Sequence, residues 1–431
     1  MTNSKFEPGL DFAHQLDTND DLASFRKAFV IQDPNLIYLD GNSLGRLPCR
    51  SIDRINQVVE REWGEQLIRS WNANWYQSPQ RTGDKIAQLL GAGPGQVVVS
   101  DSTSVNLYKL VLAALEMRPN RKRIISDSLN FPSDLYILEG CVHLMNERSG
   151  NKSHLSLEII PSEDGISMDS PTLLKAIDDQ TALVTLSHVA YKSGYLYDMV
   201  AITDKAHQVG ALILWDLSHS AGVVPMELDR WGVDLAVGCT YKYLNGGPGA
   251  PAYLYVRQGL QELAHSPIWG WFGQHLPFAF EMEYQPAKGI TRFLAGSPPI
   301  LSLLSMEAAI ELILEADIWK IRDKSKLMTS YLVYLVDNLL VPLGFTLASP
   351  RIADRRGSHV SIRHSHAYQI NRVLIEEMKV IPDFREPEDI RLGLAPLYTS
   401  YREVWQAVDR IRRVVVEERY TRYPFKRLTV T

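Results

Sequence analysis

The sequence predicts an α/β fold: a large, mostly parallel sheet of the doubly wound kind, followed by a smaller α+β domain. Three observations carry this. Short apolar runs alternate with helical stripes between residues 97 and 215, which is the pattern of parallel strands joined by crossover helices. Past about residue 300 the alternation gives way to longer helical stretches around one short apolar run. A chain of 431 residues, 45% hydrophobic and 22% charged, can bury a sizeable core, and its length suits two or three folded units.

Taken in order, Val97-Val-Val99 is a short strand. A helix follows over Ser104–Leu115, because Leu107, Leu110, Val111, Ala114 and Leu115 fall at helical spacing. The unit recurs: Ala182–Leu186 is a strand, Met199, Ile202, Ala206 and Val209 form a helical stripe, Gly210 ends that helix, and Ala211–Trp215 resumes as a strand. A further apolar strand follows Asp234. Beyond 300 the pattern predicts helices over Leu304–Glu315 and Ile321–Leu339, a strand over His359–Arg363, a helix near Gln369–Met378 and a closing amphipathic helix with Val404, Val408, Ile411 and Val415. The division expected is an N-terminal segment at 1–64, a large α/β domain at 65–300 and a small α+β domain at 301–431.

Composition removes several functions. With 45 Lys and Arg against 50 Asp and Glu, the net charge of -5 argues against nucleic acid as a partner, since phosphate neutralisation needs a basic surface. No stretch reaches the roughly 18 apolar residues of a membrane span. The first residues show no apolar signal region, so the expected location is the cytoplasm. Cys49, Cys141 and Cys239 are too few and too scattered for a disulfide framework or a paired-cysteine zinc site, and are expected to be buried, reduced thiols. His364 and His366 lack a third ligand at sensible spacing, so no metal is expected. Gly91-Ala-Gly-Pro-Gly95 precedes a strand instead of following one, and reads as a turn and not a dinucleotide loop.

In open α/β sheets ligands bind beyond the carboxyl ends of the strands. Three strand ends here carry polar groups. After Val97-Val-Val99 come Ser102, Thr103 and Ser104 at a helix start, where free N–H groups and the helix dipole suit an anion; plain helix capping is the ordinary alternative. Leu212-Ile-Leu-Trp-Asp216 delivers a carboxylate, with His219 three residues on. The strand after Asp234 leads to Tyr241 and Lys242 and then to Asn245-Gly-Gly-Pro-Gly249. Each is commonplace alone. Together, an anion cup, a strand-end carboxylate and a lysine before a Gly-rich turn are the parts that hold pyridoxal phosphate. Lys242 would form the Schiff base, Asp216 would keep the pyridine nitrogen protonated, and Thr103 with Ser104 would take the phosphate, Tyr241 and His219 assisting.

These motifs, with Tyr38-Leu-Asp-Gly-Asn-Ser-Leu-Gly45, Asn130-Phe-Pro-Ser-Asp134, Gly270-Trp271 and Ala295-Gly-Ser-Pro-Pro299, make the sequence resemble kynureninase, a family of fold-type-I pyridoxal-phosphate enzymes, over most of its length. The segments Trp215-Asp-Leu-Ser-His-Ser-Ala-Gly222 and Thr240-Tyr-Lys-Tyr-Leu-Asn-Gly-Gly-Pro-Gly249 separate it from general aminotransferases. The resemblance implies hydrolysis of L-kynurenine, or its 3-hydroxy form, to anthranilate or 3-hydroxyanthranilate and L-alanine, in tryptophan catabolism. It implies Lys242 as the cofactor-bearing lysine, Asp216 and His219 as cofactor ligands, and Tyr241 as phosphate ligand and proton donor. Phe131 would stack on the pyridine face with Pro132, Ser133 and Asp134 beside it, and Ser187 would also touch the cofactor. Trp271 and Ser297 would reach the phosphate region of a neighbouring subunit, which makes a homodimer the expected unit. Arg391 would clamp the substrate α-carboxylate through a bidentate fork, with a buried structural salt bridge as the competing account. Trp71 and Gly296 resemble bacterial members that favour unsubstituted kynurenine; for Trp71 the alternative is an ordinary packing aromatic.

Two rivals stand beside this reading. A cysteine desulfurase of the same fold would need a nucleophilic cysteine on a loop after the lysine, and no cysteine follows Lys242. A catalytically silent dimeric binding module would be expected to lack the lysine or the aspartate, and both are present.

Overall fold

The computed structural model describes residues 6–149 and 154–424. Its centre is a seven-stranded sheet in the order β2-β8-β7-β6-β5-β3-β4. The strands are β2 (Val97–Val99), β3 (Arg123–Asp127), β4 (Ser156–Ile160), β5 (Thr181–Ser187), β6 (Leu212–Asp216), β7 (Leu235–Gly238) and β8 (Tyr253–Val256). Neighbours from β4 through β3, β5 and β6 to β7 pair in parallel. The alternation expected Val97–Val99 to sit among parallel neighbours; instead β2 is an edge strand, antiparallel to β8, which is antiparallel to β7. Two reversals restore the direction, so the carboxyl end of β2 lies at the same edge as the ends of β5, β6 and β7.

Strands β5 to β8 are buried at every residue, because both faces of the sheet are covered. Successive side chains alternate between two cores. Leu212, Leu214, Leu235, Val237 and Leu254 join Leu107, Leu110 and Val111 of α4 (Thr103–Met117) on one side. Ile213, Trp215 and Ala236 join Met199 and Ile202 of α7 (Met199–Gln208) on the other. Gly210, at φ 77, makes the turn from α7 into β6. Between these lie α5 (Pro132–Ser149) and α6 (Ser170–Ala176), while α3 (Ser78–Leu90) ends at Gly91 in the left-handed conformation.

A separate core holds the carboxy-terminal part together. It gathers Met328, Leu332 and Leu335 of α9 (Ile318–Leu335), Ile370, Val373 and Leu374 of α10 (Ala367–Glu376), and Val404, Val408, Ile411 and Val414 of α11 (Tyr401–Val416). These pack on an antiparallel sheet ordered β12-β13-β10-β9, made of β9 (Thr346–Leu347), β10 (His359–Arg363), β12 (Asp383–Arg385) and β13 (Asp389–Gly393). The start of the chain folds into this same unit. Helix α1 (Leu10–Thr18) packs on α11, β1 (Ile37–Tyr38) pairs in parallel with β11 (Val380–Ile381), and Ala13, Ile37 and Leu39 enter the core.

The cores therefore cut the chain differently from divisions at 64/65 and 300/301. Helix α8 (Ile300–Ala316) buries Leu303, Met306, Ile310 and Ile313 in the large core, and α2 (Cys49–Gln57) packs against it. The changeover comes at Asp317, at φ 66, whose carboxylate caps α9. Helical periodicity could not mark it, because both α8 and α9 carry apolar faces and only the partner differs.

Candidate active site

Strand β6 ends in Asp216, whose Oδ1 accepts hydrogen bonds from the Ser218 backbone N–H at 2.8 Å and the Ser218 hydroxyl at 2.6 Å. The Ser218 oxygen in turn accepts from the backbone N–H of Cys239 at 3.0 Å, just past β7. The next residue, His219, points its Nε2 at Lys242, 2.9 Å from Nζ. Burial and the Lys242 charge hold the His219 imidazole well below its ordinary range, so the ring is neutral and Nε2 receives an N–H from lysine. The turn that carries Lys242 is fixed by close packing with the N-terminal segment. Gly45 donates to the Tyr241 carbonyl at 2.8 Å, and a Cβ there would lie 2.4 Å from the Lys242 carbonyl oxygen.

Asp134, near the start of α5, comes up against Asp216. Burial and the Asp216 charge raise its carboxyl well above the ordinary range, and the two carboxyl groups share a hydrogen bond. Phe131 opens the same segment, its ring centroid 5.8 Å from Lys242 Nζ. Asn130 Oδ1 fixes this bend by accepting from the Phe131 N–H at 2.9 Å and the Ser187 hydroxyl at 2.7 Å. Ser187 thus acts on the Phe131 loop through Asn130. Pro132 is the first residue of α5, where its missing N–H costs nothing.

At the start of α4 the structure shows helix capping, the ordinary alternative for these hydroxyls, beside an open cavity. Ser102 caps α4, accepting from the Val105 N–H at 3.3 Å, and the Ser104 and Ser133 hydroxyls lie 3.2 Å apart. A cavity of about 550 Å³ opens in front, lined among others by Thr103, Ser104, Tyr241, Gly296 and Ser297. A Cβ at Gly296 would meet no atom within 4 Å. The Tyr241 phenol is shifted upward by Cys239 beside it and by burial, which keeps it protonated. Sequence reasoning had passed over Cys239 as a buried thiol; its place three residues before Lys242 was the available signal. Cys49, expected to be buried, is exposed at the start of α2.

Arg391, on β13, is 1% exposed. One Nη donates to the Tyr191 carbonyl at 2.6 Å, the other to Ser43 Oγ at 2.7 Å and to Asp383, and Nε has no partner. The competing structural ion pair is thus real, and one buried donor is left over. Asp383, Ser43 and Tyr191 were missed. Ser43 lies inside a quoted motif, but nothing in sequence spacing connects residues 43, 191 and 383. Asp40 is pushed up to about 6 by burial and by Asp383.

Two predicted residues do not converge on Lys242 within the chain. Trp71 packs edge-on against Trp75 at 5.7 Å and lies 5.9 Å from Phe272, the position of a packing aromatic. Trp271 is 39% exposed and packs on Phe272 and Phe278. Ser297 lines the cavity of its own chain.

The buried carboxylate, the lysine and the hydroxyl cup fit pyridoxal phosphate, and the unpartnered His219 Nδ1 and Arg391 Nε are donors of the kind a ligand satisfies. Comparison with known proteins agrees. Residues 321–411 match the family model described as kynureninase C-terminal domain. The chain is 42% identical over 417 residues to a kynureninase of Pseudomonas fluorescens, covering 95% of this chain and 96% of that one. It is 42% identical over 408 residues to a kynureninase of Burkholderia pseudomallei, covering 94% of each. Among solved structures, a cysteine desulfurase from Thermococcus onnurineus NA1 superposes with TM-score 0.77 at 19% identity, over 91% of this chain and 98% of that one. One from Escherichia coli gives 0.74 at 18%, over 92% and 99%. At that identity the structures share the fold alone, whereas the full-length matches at 42% do more: the chain belongs to the kynureninase family.

Proposed function

We propose that this chain is a pyridoxal-phosphate-dependent hydrolase that cleaves L-kynurenine to anthranilate and L-alanine, and accepts 3-hydroxykynurenine as well. The observation that carries the reading is the pairing of Lys242 with neutral His219 beside the Asp134–Asp216 carboxyl pair, all at the carboxyl edge of the sheet. When bound, pyridoxal phosphate supplies an aldehyde for the amines of Lys242 and substrate, and a protonated ring that draws electrons from the substrate α-carbon.

The chain's own residues do the rest. The Lys242 amine would take the substrate α-proton, and His219 orients that amine by accepting one of its N–H bonds. Asp216, its Oδ1 held by Ser218, would hold the ring nitrogen of the bound cofactor and favour its protonated form. Thr103, Ser104 and Ser133 with the α4 N-terminus hold the phosphate. Arg391 binds the substrate carboxylate through its free Nε–H and a second donor. Water would add to the γ-carbonyl; loss of a hydroxyl proton from that hydrate would break the bond between Cβ and Cγ, anthranilate leaving as the electron pair passes to the bound cofactor, after which Tyr241 would give a proton to Cβ and Lys242 would return one to Cα to complete alanine. An apolar ring pocket discriminates weakly against one added hydroxyl, which is why both substrates are expected.

We assign the active unit as a homodimer in which Trp271 acts toward the partner's phosphate cup, whereas Ser297 lines the cavity of its own chain beside Thr103 and Ser104. Trp269, Phe278, Phe280 and Met282 are all more than half exposed along that same segment, a face that a second copy would cover. We place the enzyme in the cytoplasm; no helix among the described residues is long and apolar enough to cross a membrane. A desulfurase reading has the fold in its favour but lacks a cysteine after Lys242. The test is direct. The purified protein should be yellow, lose that colour on borohydride reduction with the cofactor's mass on the Lys242 peptide, and release fluorescent anthranilate from L-kynurenine. An adduct at another lysine, or none, overturns the assignment.

A further inference from the structure

The Ser218 hydroxyl ties the Asp216 carboxylate itself to the segment that leads into Lys242. It donates to Asp216 Oδ1 at 2.6 Å while accepting from the Cys239 N–H at 3.0 Å, and its own N–H holds the same Oδ1 at 2.8 Å. The residue is 6% exposed, as is Asp216. Both Ser218 donors fall on Oδ1, which fixes the orientation of the carboxylate beside Asp134. We propose that Ser218 is a positioning residue for catalysis: its hydroxyl locks the Asp216 carboxylate in the rotamer that addresses the cofactor nitrogen and fixes that carboxylate relative to Lys242.

The physical case is that a charge-assisted hydrogen bond in a dry site is among the stronger ones, and that a carboxylate free to rotate stabilises the protonated ring nitrogen less fully. Backbone geometry alone does not do this, because the Ser218 N–H constrains one direction only, whereas the hydroxyl adds a second and couples it to Cys239. Ser220 provides a control in the same turn. It is fully buried, but its hydroxyl donates to the Leu217 carbonyl at 3.2 Å and shows no bond to Asp216.

The proposal rests on the pyridoxal-phosphate reading above, and the experiment separates the two. Wild type, Ser218→Ala and Ser220→Ala are loaded with pyridoxal phosphate labelled with 15N in the ring, and the nitrogen chemical shift is recorded beside kcat, KM for L-kynurenine and cofactor retention on dialysis. The expected result for Ser218→Ala is a shift toward the neutral pyridine value, about a tenfold fall in kcat with KM little changed, and faster cofactor loss. Ser220→Ala should match wild type on all counts. An unaltered 15N shift with unaltered kcat in Ser218→Ala, or equal losses in the two variants, overturns the role given to Ser218. A wild-type protein that takes up no cofactor overturns the reading and this proposal together. Failure of Ser218→Ala to fold would move the question to Ser218→Cys, which keeps a weaker donor and should fall between wild type and the loss expected for alanine; a wild-type signal there overturns the proposal.

Discussion

Two faces of the large domain contrast in how they treat their motif residues. At the carboxyl edge of β5, β6 and β7, Asp134, Asp216, His219 and Arg391 are buried and held by named hydrogen bonds. Along residues 269–282, motif residue Trp271 stands among Phe278, Phe280 and Met282, with exposures of 55%, 73% and 99% for the last three. A monomer gains nothing by placing such side chains in water. The difference teaches that motif residues fall into two classes: those whose geometry one chain completes, and those left exposed on it, which the proposed homodimer would cover.

The strongest way to break this contrast is at Lys242. It is only part-buried, its amine contacts His219, and no salt bridge holds it among the described residues. Lys242→Ala should leave the thermal melt within a few degrees of wild type and lower anthranilate release by about 10³-fold or more. A variant retaining a tenth of the activity would remove the lysine from the chemistry.

Arg391 sharpens the contrast, because it belongs to both accounts at once. Arg391→Lys keeps a charge for Asp383 but removes Nε and the planar fork. If the free donor serves substrate, KM for L-kynurenine should rise about 100-fold while kcat changes little. Were the arginine structural only, the urea midpoint would fall and KM would stay put. On the other face, Phe280→Asp with Met282→Asp should barely alter the stability of an isolated chain, since surface changes stay within about 0.5 kcal/mol. Sedimentation should nevertheless show a monomer, and activity should fall about tenfold because the partner's Trp271 is lost. A fully active monomer would show that one chain suffices.

Much of this was legible from the amino-acid order, and the reason is physical. Strands β5 and β6 and helices α4 and α7 declare themselves because both faces of the sheet are covered and their apolar periodicity is local. Asp216 and Lys242 stand out because strand ends are where a sheet presents polar groups. What stayed hidden depends on contacts between distant residues. That α1 and β1 join the carboxy-terminal core rests on the packing of α1 on α11 and a two-residue pairing of β1 with β11, and strands that short carry no periodicity. The reversal of β8 is invisible because a buried strand reads alike in either direction. Asp383 and Tyr191 meet Arg391 only through the fold.

The smallest effect tests whether the buried wall behind Asp216 is as dry as its geometry says. His188 follows β5, donates its N–H to the Asp216 carbonyl at 2.8 Å, and packs its ring edge-on to Trp215 at 5.8 Å. Burial, with Arg322 adding to it, pushes its imidazole down to about 3. Below pH 6.5 the unfolded chain binds a proton at this site that the folded chain refuses, so stability present at neutral pH is lost as pH falls from 6.5 toward 3. Asp40 and Asp127, both pushed up to about 6 by burial, act in the opposite sense, since the folded chain binds their protons first as pH falls. The whole-protein curve therefore mixes signs, and only a difference isolates the histidine. Replacing it by glutamine, His188→Gln, should make the loss of unfolding free energy between pH 7 and 5.5 smaller by roughly 1 kcal/mol, read from urea midpoints at the two pH values. Identical slopes in the two proteins would mean that water or a proton reaches the ring in the folded state, and the sheet edge beneath Asp216 would then be wetter than the packing around Trp215 implies.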